Sequence, residues 1–450
     1  MSLSQVSLLD PFLLTTCGLA LYRYARLTSA HPGFMYLIFH ALFVTARMYS
    51  VIGGAPTLFS NWPGTLPVSE HEIAWAGLLA DIALIGITAG LILSSSRDRP
   101  NTKHSSPTSP DPLLSVRIVR YVSIVAFPVG IVSLLVGGAF PTANNVTVDF
   151  GEWGSSSWLM VTQFWSVLVL LALIYLYGFR RLLTLSIGAF LALMSIQGFN
   201  RFRVILPAIF LLITWQTRTG RKWPRKWMVV SLAFLAVLIF PMKRLGRMVQ
   251  SGESLSDMLY VFSDSLSETL KGRSQDQMFL DQLASTVWLV DESGQYSYGS
   301  MYYPLLFLPV PRQLWPEKPP LAWYWAEISS PSRPMYENGM APTLVGEAYL
   351  NLGLIGVIAL PFGFGYWIGR FYFLAMHKSY FSVYRFMYVT LACCLIQIFR
   401  DGLGSVVVLP AVDMMPLVAI AILSFVAFRW HRRWVVPASS LINGRQRRAI

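Results

Sequence analysis

The stretch IAWAGLLADIALIGITAGLILSS, residues 73–95, decides the fold class of this chain. It contains a single charged side chain, Asp81. A helix of about 20 residues is long enough to cross the hydrocarbon layer of a membrane. In lipid only helices and closed barrels satisfy their own backbone polar groups, and barrel strands would read as short alternating segments. No such alternation occurs in the sequence, so the stretch predicts a transmembrane helix.

The composition extends this prediction to the whole chain. Apolar residues make up 54% of the 450 residues and charged residues 13%, with a mean hydropathy of +0.52. A soluble protein would carry roughly twice that charged fraction. We therefore predict an all-α polytopic integral membrane protein of about eleven transmembrane helices. The candidate spans are residues 5–22, 33–53, 73–95, 118–140, 157–178, 182–199, 203–217, 227–242, 343–369, 384–399 and 405–428.

The distribution of positive charge orients these spans. Short cytoplasmic loops of membrane proteins are rich in Lys and Arg, which places the N-terminus of this chain outside. The formal net charge of +13 is then largely explained by cytoplasmic loops that face anionic lipid, and we expect no nucleic-acid partner. The predicted organisation is eight helices in 1–242, a large outer loop at 243–342, three helices in 343–428 and a basic cytoplasmic tail at 429–450.

The outer loop at 243–342 has too little continuous apolar sequence to span a membrane. In its first half Leu259, Phe262 and Leu266 share one helical stripe, which predicts an amphipathic helix on the membrane surface or over a cavity. From residue 295 onward the loop is rich in Pro, Trp and Tyr, which predicts irregular structure.

Positive side chains also cluster at the outer ends of predicted helices, where membrane proteins ordinarily have few of them. Arginine forms paired hydrogen bonds with phosphate oxygens, and an aromatic ring packs against the apolar face of a sugar. This pattern therefore favours, as the ligand, a lipid-linked phosphate that carries a glycan. The alternatives are arginines that snorkel from a short loop, a solvated helix end and a structural proline-rich loop. The candidate binding residues are Arg201, Arg203, Lys243, Arg244, Arg247, Arg312, Trp315, Lys318 and Arg400.

Two carboxylates at the outer ends of the last spans are candidate catalytic residues. Glu347 lies about one turn inside an apolar span, where a charge costs about 2.5–3.5 kcal/mol unless it meets a partner or water. Asp401 follows Arg400 in the outer turn between the last two spans. Either carboxylate suits a general base, and a structural ion pair is the alternative for Glu347. Arg47 and Asp81 are further intramembrane charges that we expect to pair.

No spacing of His, Cys and carboxylate residues along the chain suggests a metal site, so we expect no metal and no other cofactor. The three cysteines, Cys17, Cys393 and Cys394, all lie in apolar spans and are interpreted as packing residues.

Five segments together resemble the Wzy-type polysaccharide polymerases of bacterial envelopes, which include O-antigen and enterobacterial common antigen polymerases. The most specific of them is PRQLWPEKP at 311–319. The others are GFNRFR at 198–203, KR at 243–244, PTLVGE at 342–347 and RDGL at 400–403. The resemblance covers residues 198–405, whereas the first half of the chain agrees in hydropathy only.

This resemblance implies a GT-C-like helical glycosyltransferase at the outer, periplasmic face of the bacterial inner membrane. It would transfer a growing glycan from one undecaprenyl pyrophosphate onto a sugar hydroxyl of the next lipid-linked repeat unit. The positive residues would bind pyrophosphate without a metal, and Glu347 or Asp401 would accept the hydroxyl proton. Expected partners are the lipid-linked oligosaccharide, membrane lipids, a chain-length regulator and a flippase.

Two other functions fit parts of the pattern. An O-antigen ligase shares the lipid donor, but ligases of that kind carry a histidine in the large outer loop, and residues 243–342 contain none. A transporter or flippase of lipid-linked anions predicts inverted repeats and charge near the membrane midplane, and the sequence has no such symmetry. Both remain alternatives to the polymerase.

Overall fold

The computed structural model describes residues 1–60, 64–96, 111–136, 162–196, 202–231, 248, 253–270, 278–307, 310, 314–319, 330, 332–333 and 343–435. Across these residues the regular structure is helical, apart from two isolated bridges, Leu113–Ser382 and Ser330–Arg333. The first helices are α1 (Leu3–Tyr24), α2 (Pro32–Ile52, with a π-helical turn at Ala41–Thr45), α3 (Glu70–Ser96), α4 (Val116–Val136), α5 (Trp165–Tyr177), α6 (Arg181–Ile196) and α7 (Phe202–Thr219). They are followed by α8 (Leu255–Leu270), α9 (Phe279–Ser293), α10 (Tyr303–Leu306), α11 (Thr343–His377), α12 (Val383–Asp401), α13 (Gly404–Val408) and α14 (Met415–Val435).

Six helices of the described chain are long and apolar enough to cross a membrane, namely α1, α2, α3, α4, α11 and α12. Shorter apolar helices occupy α5, α7 and parts of α6 and α14. The prediction of an all-helical, multi-pass membrane protein is therefore confirmed. Of the predicted span at 227–242, only residues 227–231 are described, and these are helical.

Local sequence signals set where several helices begin. Ser2 caps α1 in a reciprocal arrangement with Gln5, so each side chain bonds to the other residue's backbone N–H. Ser69 and Glu72 repeat this arrangement at the start of α3. Ser382 accepts a hydrogen bond from the backbone N–H of Tyr384 at the start of α12.

Helices α3 and α11 pack so closely that glycine is required between them. A Cβ at Gly90 would lie 2.2 Å from the carbonyl oxygen of Phe362, and a Cβ at Gly365 would lie 2.5 Å from that of Ile87. Small residues let helix backbones approach closely in membranes, where lipid offers no hydrophobic driving force for association. This contact forms the centre of the bundle and fixes the position of α11.

The helix ends gather on two sides of the bundle. On one side, here called the basic end, the backbone N–H of Ser29 donates to the carbonyl of Lys222, and that of Leu114 donates to the carbonyl of Phe381. The described Lys and Arg residues near this end are Arg23, Arg26, Arg117, Arg120, Arg180, Arg181, Arg218, Arg221, Lys222, Arg225, Lys226, Arg370, Lys378 and Arg385. The opposite side, here called the loop end, carries residues 53–60, 64–69 and 278–307 and the turn at 400–404.

The predicted amphipathic helix of the outer loop is present as α8, where Leu259 is exposed and Phe262 and Leu266 are half-buried. The sequence did not predict α9, which follows in the same half of the loop. This helix is buried along most of its length: Leu280, Leu283 and Val287 pack into the core against α3 and α11. The outer loop is therefore partly built into the bundle.

Candidate functional site

Helix α11 is broken near its start. Leu352 (φ −145°, ψ 20°) and Gly353 (φ 58°, ψ −142°) have non-helical backbone angles, so residues 343–351 form a separate half-helix. The predicted single span at 343–369 is corrected accordingly: the half-helix comes first, and the 24 residues from 354 to 377 remain long enough to cross a membrane. Glu347 lies on the half-helix, whose described side chains are buried on nearly every side.

The segment after α9 satisfies the backbone groups that this break leaves without a helical partner. The backbone N–H of Ser297 donates to the carbonyl of Leu350 at 2.9 Å, and that of Tyr298 donates to the carbonyl of Asn351 at 3.2 Å. The side-chain oxygen of Asn351 accepts from the Ser297 hydroxyl and from the backbone N–H of Gly299, both at 2.8 Å. These hydrogen bonds stabilise the break and hold the outer loop against the half-helix.

The Glu347 carboxylate points from the half-helix to the turn at 400–404. It is only 1% exposed, one of its oxygens accepts a hydrogen bond from the backbone N–H of Gly404 at 3.3 Å, and the Leu403 N–H and the Tyr302 hydroxyl lie close enough to stabilise its charge. Burial and the neighbouring Glu347 charge raise the pKa of Tyr302, so this phenol remains a hydrogen-bond donor. The carboxylate therefore fastens three segments together: the half-helix, the turn and the start of α10.

Gly402 allows this contact, and its replacement provides a test of it. Its φ is +91°, and a Cβ there would lie 1.6 Å from a Glu347 carboxylate oxygen. We expect Gly402→Ala to displace the carboxylate and lower the unfolding temperature, because strain at positive φ alone costs about 1–2 kcal/mol. Thermal unfolding in detergent measures this. Gly188→Ala, where a Cβ would meet no atom within 4 Å, is the matched control; equal unfolding temperatures for the two variants would contradict the contact.

Arg400 and Asp401 are the partly exposed members of this site. Their side chains are 26% and 24% exposed, and the Arg400 Nε lies 3.4 Å from an Asp401 carboxylate oxygen. The guanidinium of Arg400 stacks over the ring of Phe279, 5.3 Å from its centroid. Gln397, one turn earlier on α12, donates a hydrogen bond to the Asp401 carboxylate. Both side chains are thus positioned by neighbours and still reach solvent.

An aromatic path connects the proline-rich motif to this turn. The ring of Trp315 meets that of Phe307 edge-on at 5.1 Å, and Phe307 meets Tyr303 at 4.9 Å. Helix α10, which begins with Tyr303, contacts α13 just after the turn. The Lys318 ammonium donates to the carbonyl of Val310, 3.0 Å away. Of the predicted site residues, Glu347, Arg400 and Asp401 lie together, and Trp315 is linked to them through α10.

Several predicted site residues lie outside the described part of the chain. They are Arg201, Lys243, Arg244, Arg247 and Arg312, and for Arg203 only the backbone in α7 is described. Their roles as pyrophosphate ligands stay predictions.

The expected pairing of Arg47 with Asp81 is wrong. Arg47 instead forms a two-pronged ion pair with Asp281 of α9, with N–O distances of 2.7 and 2.8 Å, and all the atoms of this pair are buried. Asp281 also accepts from the backbone N–H of Leu58 at 3.0 Å. The pair ties α9 to α2 across 234 residues of sequence, a separation at which no local spacing could reveal it.

Asp81 instead joins Asp10 and His40 in a buried cluster that no local spacing in the sequence indicated. Its three residues come from three helices, α1, α2 and α3. The three cysteines are buried and unbridged, as predicted.

The fold and the site define a multi-pass helical membrane protein with a buried carboxylate and an Arg–Asp turn at one end of its bundle. A family model described as O-antigen polysaccharide polymerase Wzy matches residues 2–428, nearly the whole chain, so the chain belongs to this family. Membership makes it a glycosyltransferase-type polymerase of O-antigen biosynthesis that acts on lipid-linked oligosaccharide repeat units. The comparisons with curated proteins and with solved structures gave no match.

Proposed function

We propose that this protein transfers a growing glycan from one undecaprenyl pyrophosphate onto a sugar hydroxyl of the next undecaprenyl-pyrophosphate-linked repeat unit. The observation that carries the proposal is the turn at 400–404. There a cation and a carboxylate, each about one-quarter exposed, are held side by side by a buried framework. Transfer between two lipid-linked substrates needs this pairing, since one group must stabilise a leaving pyrophosphate and another must activate a hydroxyl.

We assign different roles to the two candidate carboxylates, Asp401 and Glu347, because their exposed fractions differ. Asp401 is accessible, so we assign it as the base that accepts the proton of the acceptor hydroxyl as the new C1–O bond forms. The bond from C1 to the pyrophosphate oxygen breaks in the same reaction, and undecaprenyl pyrophosphate leaves. Glu347 is 1% exposed and bonds to the backbone N–H of Gly404 in the turn, so we assign it a positioning role.

Arg400 stabilises the negative charge that develops on the leaving pyrophosphate, with no metal at that position. The remaining candidate ligands act with it, and Trp315 covers an apolar face of the glycan. The cations that we assign to this role beside Arg400 are Arg201, Arg203, Lys243, Arg244, Arg247, Arg312 and Lys318.

We place the loop end in the periplasm and the basic end in the cytoplasm of an inner-membrane protein, because positive charge concentrates at the basic end. The proposal keeps about eleven spans in a GT-C-like arrangement, with helices in 1–242 and 343–428, the outer loop at 243–342 and a cytoplasmic tail at 429–450. A flippase would deliver the repeat units and a chain-length regulator would limit the product.

The proposed role of Glu347 predicts a change in rate without a change in binding. Glu347→Gln removes a charged acceptor worth about 1.5–3 kcal/mol from the turn. We expect kcat to fall about 10- to 100-fold, with KM for the lipid-linked repeat unit unchanged. Steady-state kinetics of the purified variant measure both constants. An unchanged kcat would remove Glu347 from the site, and a change confined to KM would make it a substrate ligand.

The surface glycan of a deletion strain tests the proposed function. Electrophoresis of lipid A-linked glycan should show loss of every band above one repeat unit, restored by the wild-type gene. Loss of all glycan from lipid A, while long chains accumulate on the lipid carrier, would indicate a ligase instead. Unextended repeat units trapped on the cytoplasmic side would indicate a transporter.

A further inference from the structure

Three ionisable side chains meet inside the bundle, apart from the turn at 400–404. Asp10 of α1 and His40 of α2 are 0% exposed, and Asp81 of α3 is 1% exposed. Ionisable groups inside a membrane bundle are costly, and they ordinarily pair or serve a function. The proposed polymerase reaction uses none of the three.

The geometry of this cluster is that of a set of converging ligands. His40 Nε2 and an Asp10 carboxylate oxygen share a hydrogen bond of 2.6 Å, whose proton a bound ion would replace, and Nε2 lies 3.4 Å from an Asp81 carboxylate oxygen. One donor atom from each residue lies within 4.8 Å of the other two. Neighbouring donor atoms around an ion with bonds of about 2.1 Å are about 3.0–3.4 Å apart, so small side-chain shifts would let all three donors bind one ion, with a further position left for water.

Asp81 supplies a second, independent observation. Among the described residues, neither of its carboxylate oxygens has a hydrogen-bond partner of good geometry, although the side chain is buried and points at His40. The second carboxylate oxygen of Asp10 is also without one. The chain widens into the π-helical turn Ala41–Thr45 directly after His40, and such turns occur frequently at functional sites.

The charge and the donor atoms of these three side chains indicate which kind of ion they would bind. Two carboxylates and a neutral imidazole carry a charge of −2, which one divalent cation cancels in an apolar environment. Imidazole nitrogen suits Zn²⁺, Cu²⁺, Fe²⁺ and Ni²⁺, and carboxylate oxygen suits Mg²⁺, Ca²⁺ and Mn²⁺; Zn²⁺ also accepts carboxylate oxygen. The mixed set therefore favours Zn²⁺ or Mn²⁺.

We propose that Asp10, His40 and Asp81 bind one divalent transition-metal ion, Zn²⁺ or Mn²⁺, which clamps helices α1, α2 and α3 together. We assign the ion a structural role, because its three ligands come from three different helices and it would join them. Phe39, next to His40, packs on Phe279 and Phe399, and Phe279 carries the Arg400 guanidinium. The bound ion stabilises the packing of α1, α2 and α3 next to the 400–404 turn and takes no part in the glycan transfer reaction.

The metal content of the full-length protein tests the proposal. The wild type is purified in detergent without immobilised-metal chromatography and measured by mass spectrometry for Zn and Mn. We expect about one equivalent per chain, because the three ligands together form one site. Asp81→Asn and His40→Gln should lower this content at least about tenfold, whereas Glu292→Gln, which changes an exposed carboxylate of α9, should not.

A second measurement keeps the test decisive if the ligand variants fail to fold. Wild-type protein from metal-depleted medium should gain thermal stability when Zn²⁺ alone or Mn²⁺ alone is added, and Mg²⁺ should have no such effect. Folded wild type that contains no metal and gains no stability from either ion would overturn the proposal and leave a proton-sharing cluster. Both readouts are independent of polymerase activity, so the proposed function can fail while this proposal stands.

Discussion

Asp401→Asn should reduce the surface glycan to single repeat units while the protein remains at its normal abundance. The amide keeps the size of the side chain but cannot accept the acceptor's proton, and general-base catalysis contributes about 10²- to 10⁴-fold to a rate. We therefore expect chain extension to fall at least about 100-fold. Electrophoresis of glycan from complemented cells, with an immunoblot for abundance, measures both quantities.

Asp257→Asn is the matched control for this experiment. Asp257 is an exposed carboxylate of α8 on the outer loop, where it accepts a hydrogen bond from the Ser254 hydroxyl, and its replacement should leave the glycan ladder unchanged. Wild-type chain lengths in Asp401→Asn would exclude Asp401 as the base. Equal losses in the two variants would instead indicate a general effect of removing a negative charge from the protein.

Arg47→Ala should lower the free energy of unfolding more than Gly402→Ala does. It leaves the Asp281 carboxylate buried without its ion-pair partner, and breaking a buried pair in this way costs about 3–5 kcal/mol. The loss should also detach α9 from α2, since the pair joins these two helices directly. Thermal unfolding of the purified variant in detergent, followed by intrinsic fluorescence, measures the effect.

The double variant Arg47→Met with Asp281→Leu separates the ion pair from its surroundings. Replacing both charges with apolar side chains of similar size removes the isolated buried charge, so this protein should unfold at a higher temperature than Arg47→Ala. It should not fully match the wild type, because the backbone N–H of Leu58 loses its acceptor. A double variant no more stable than Arg47→Ala would show that the unpaired charge of Asp281 is not what destabilises the single variant.

The parts of the fold that local sequence determines were predictable. Residues 73–95 are apolar apart from Asp81 and three hydroxyl side chains, and a stretch of that length and composition has one stable arrangement in lipid, the helix. The stripe through Leu259, Phe262 and Leu266 likewise predicted α8, because helical periodicity is a local signal.

The break in α11 was not predictable, because it depends on residues far away in the chain. Leu352 and Gly353 lie in a continuous apolar sequence that reads as a single helix. The hydrogen bonds that stabilise the break come from Ser297 and Tyr298, about 50 residues earlier. Helix α9 was missed for a similar reason, since its burial depends on Arg47 and on packing against α3 and α11.

The site was predictable in part. Glu347, Arg400 and Asp401 stand out as polar residues beside apolar spans, and the structure brings them together. No local pattern indicated that Tyr302 lies beside the Glu347 carboxylate, since Tyr302 is one of many aromatic residues in the outer loop. The Asp10, His40 and Asp81 cluster was invisible because each residue is the lone charge or imidazole in its own stretch of helix.

The purified wild-type protein, given only lipid-linked repeat units in detergent, provides the most direct test of the reaction proposed at the 400–404 turn. The products are separated by length, and released undecaprenyl pyrophosphate is counted against new glycosidic bonds. We predict glycans of several repeat units and one released carrier for each bond formed. Chains that fail to form from competent substrate, or bonds that form without release of the carrier, would contradict the proposed reaction.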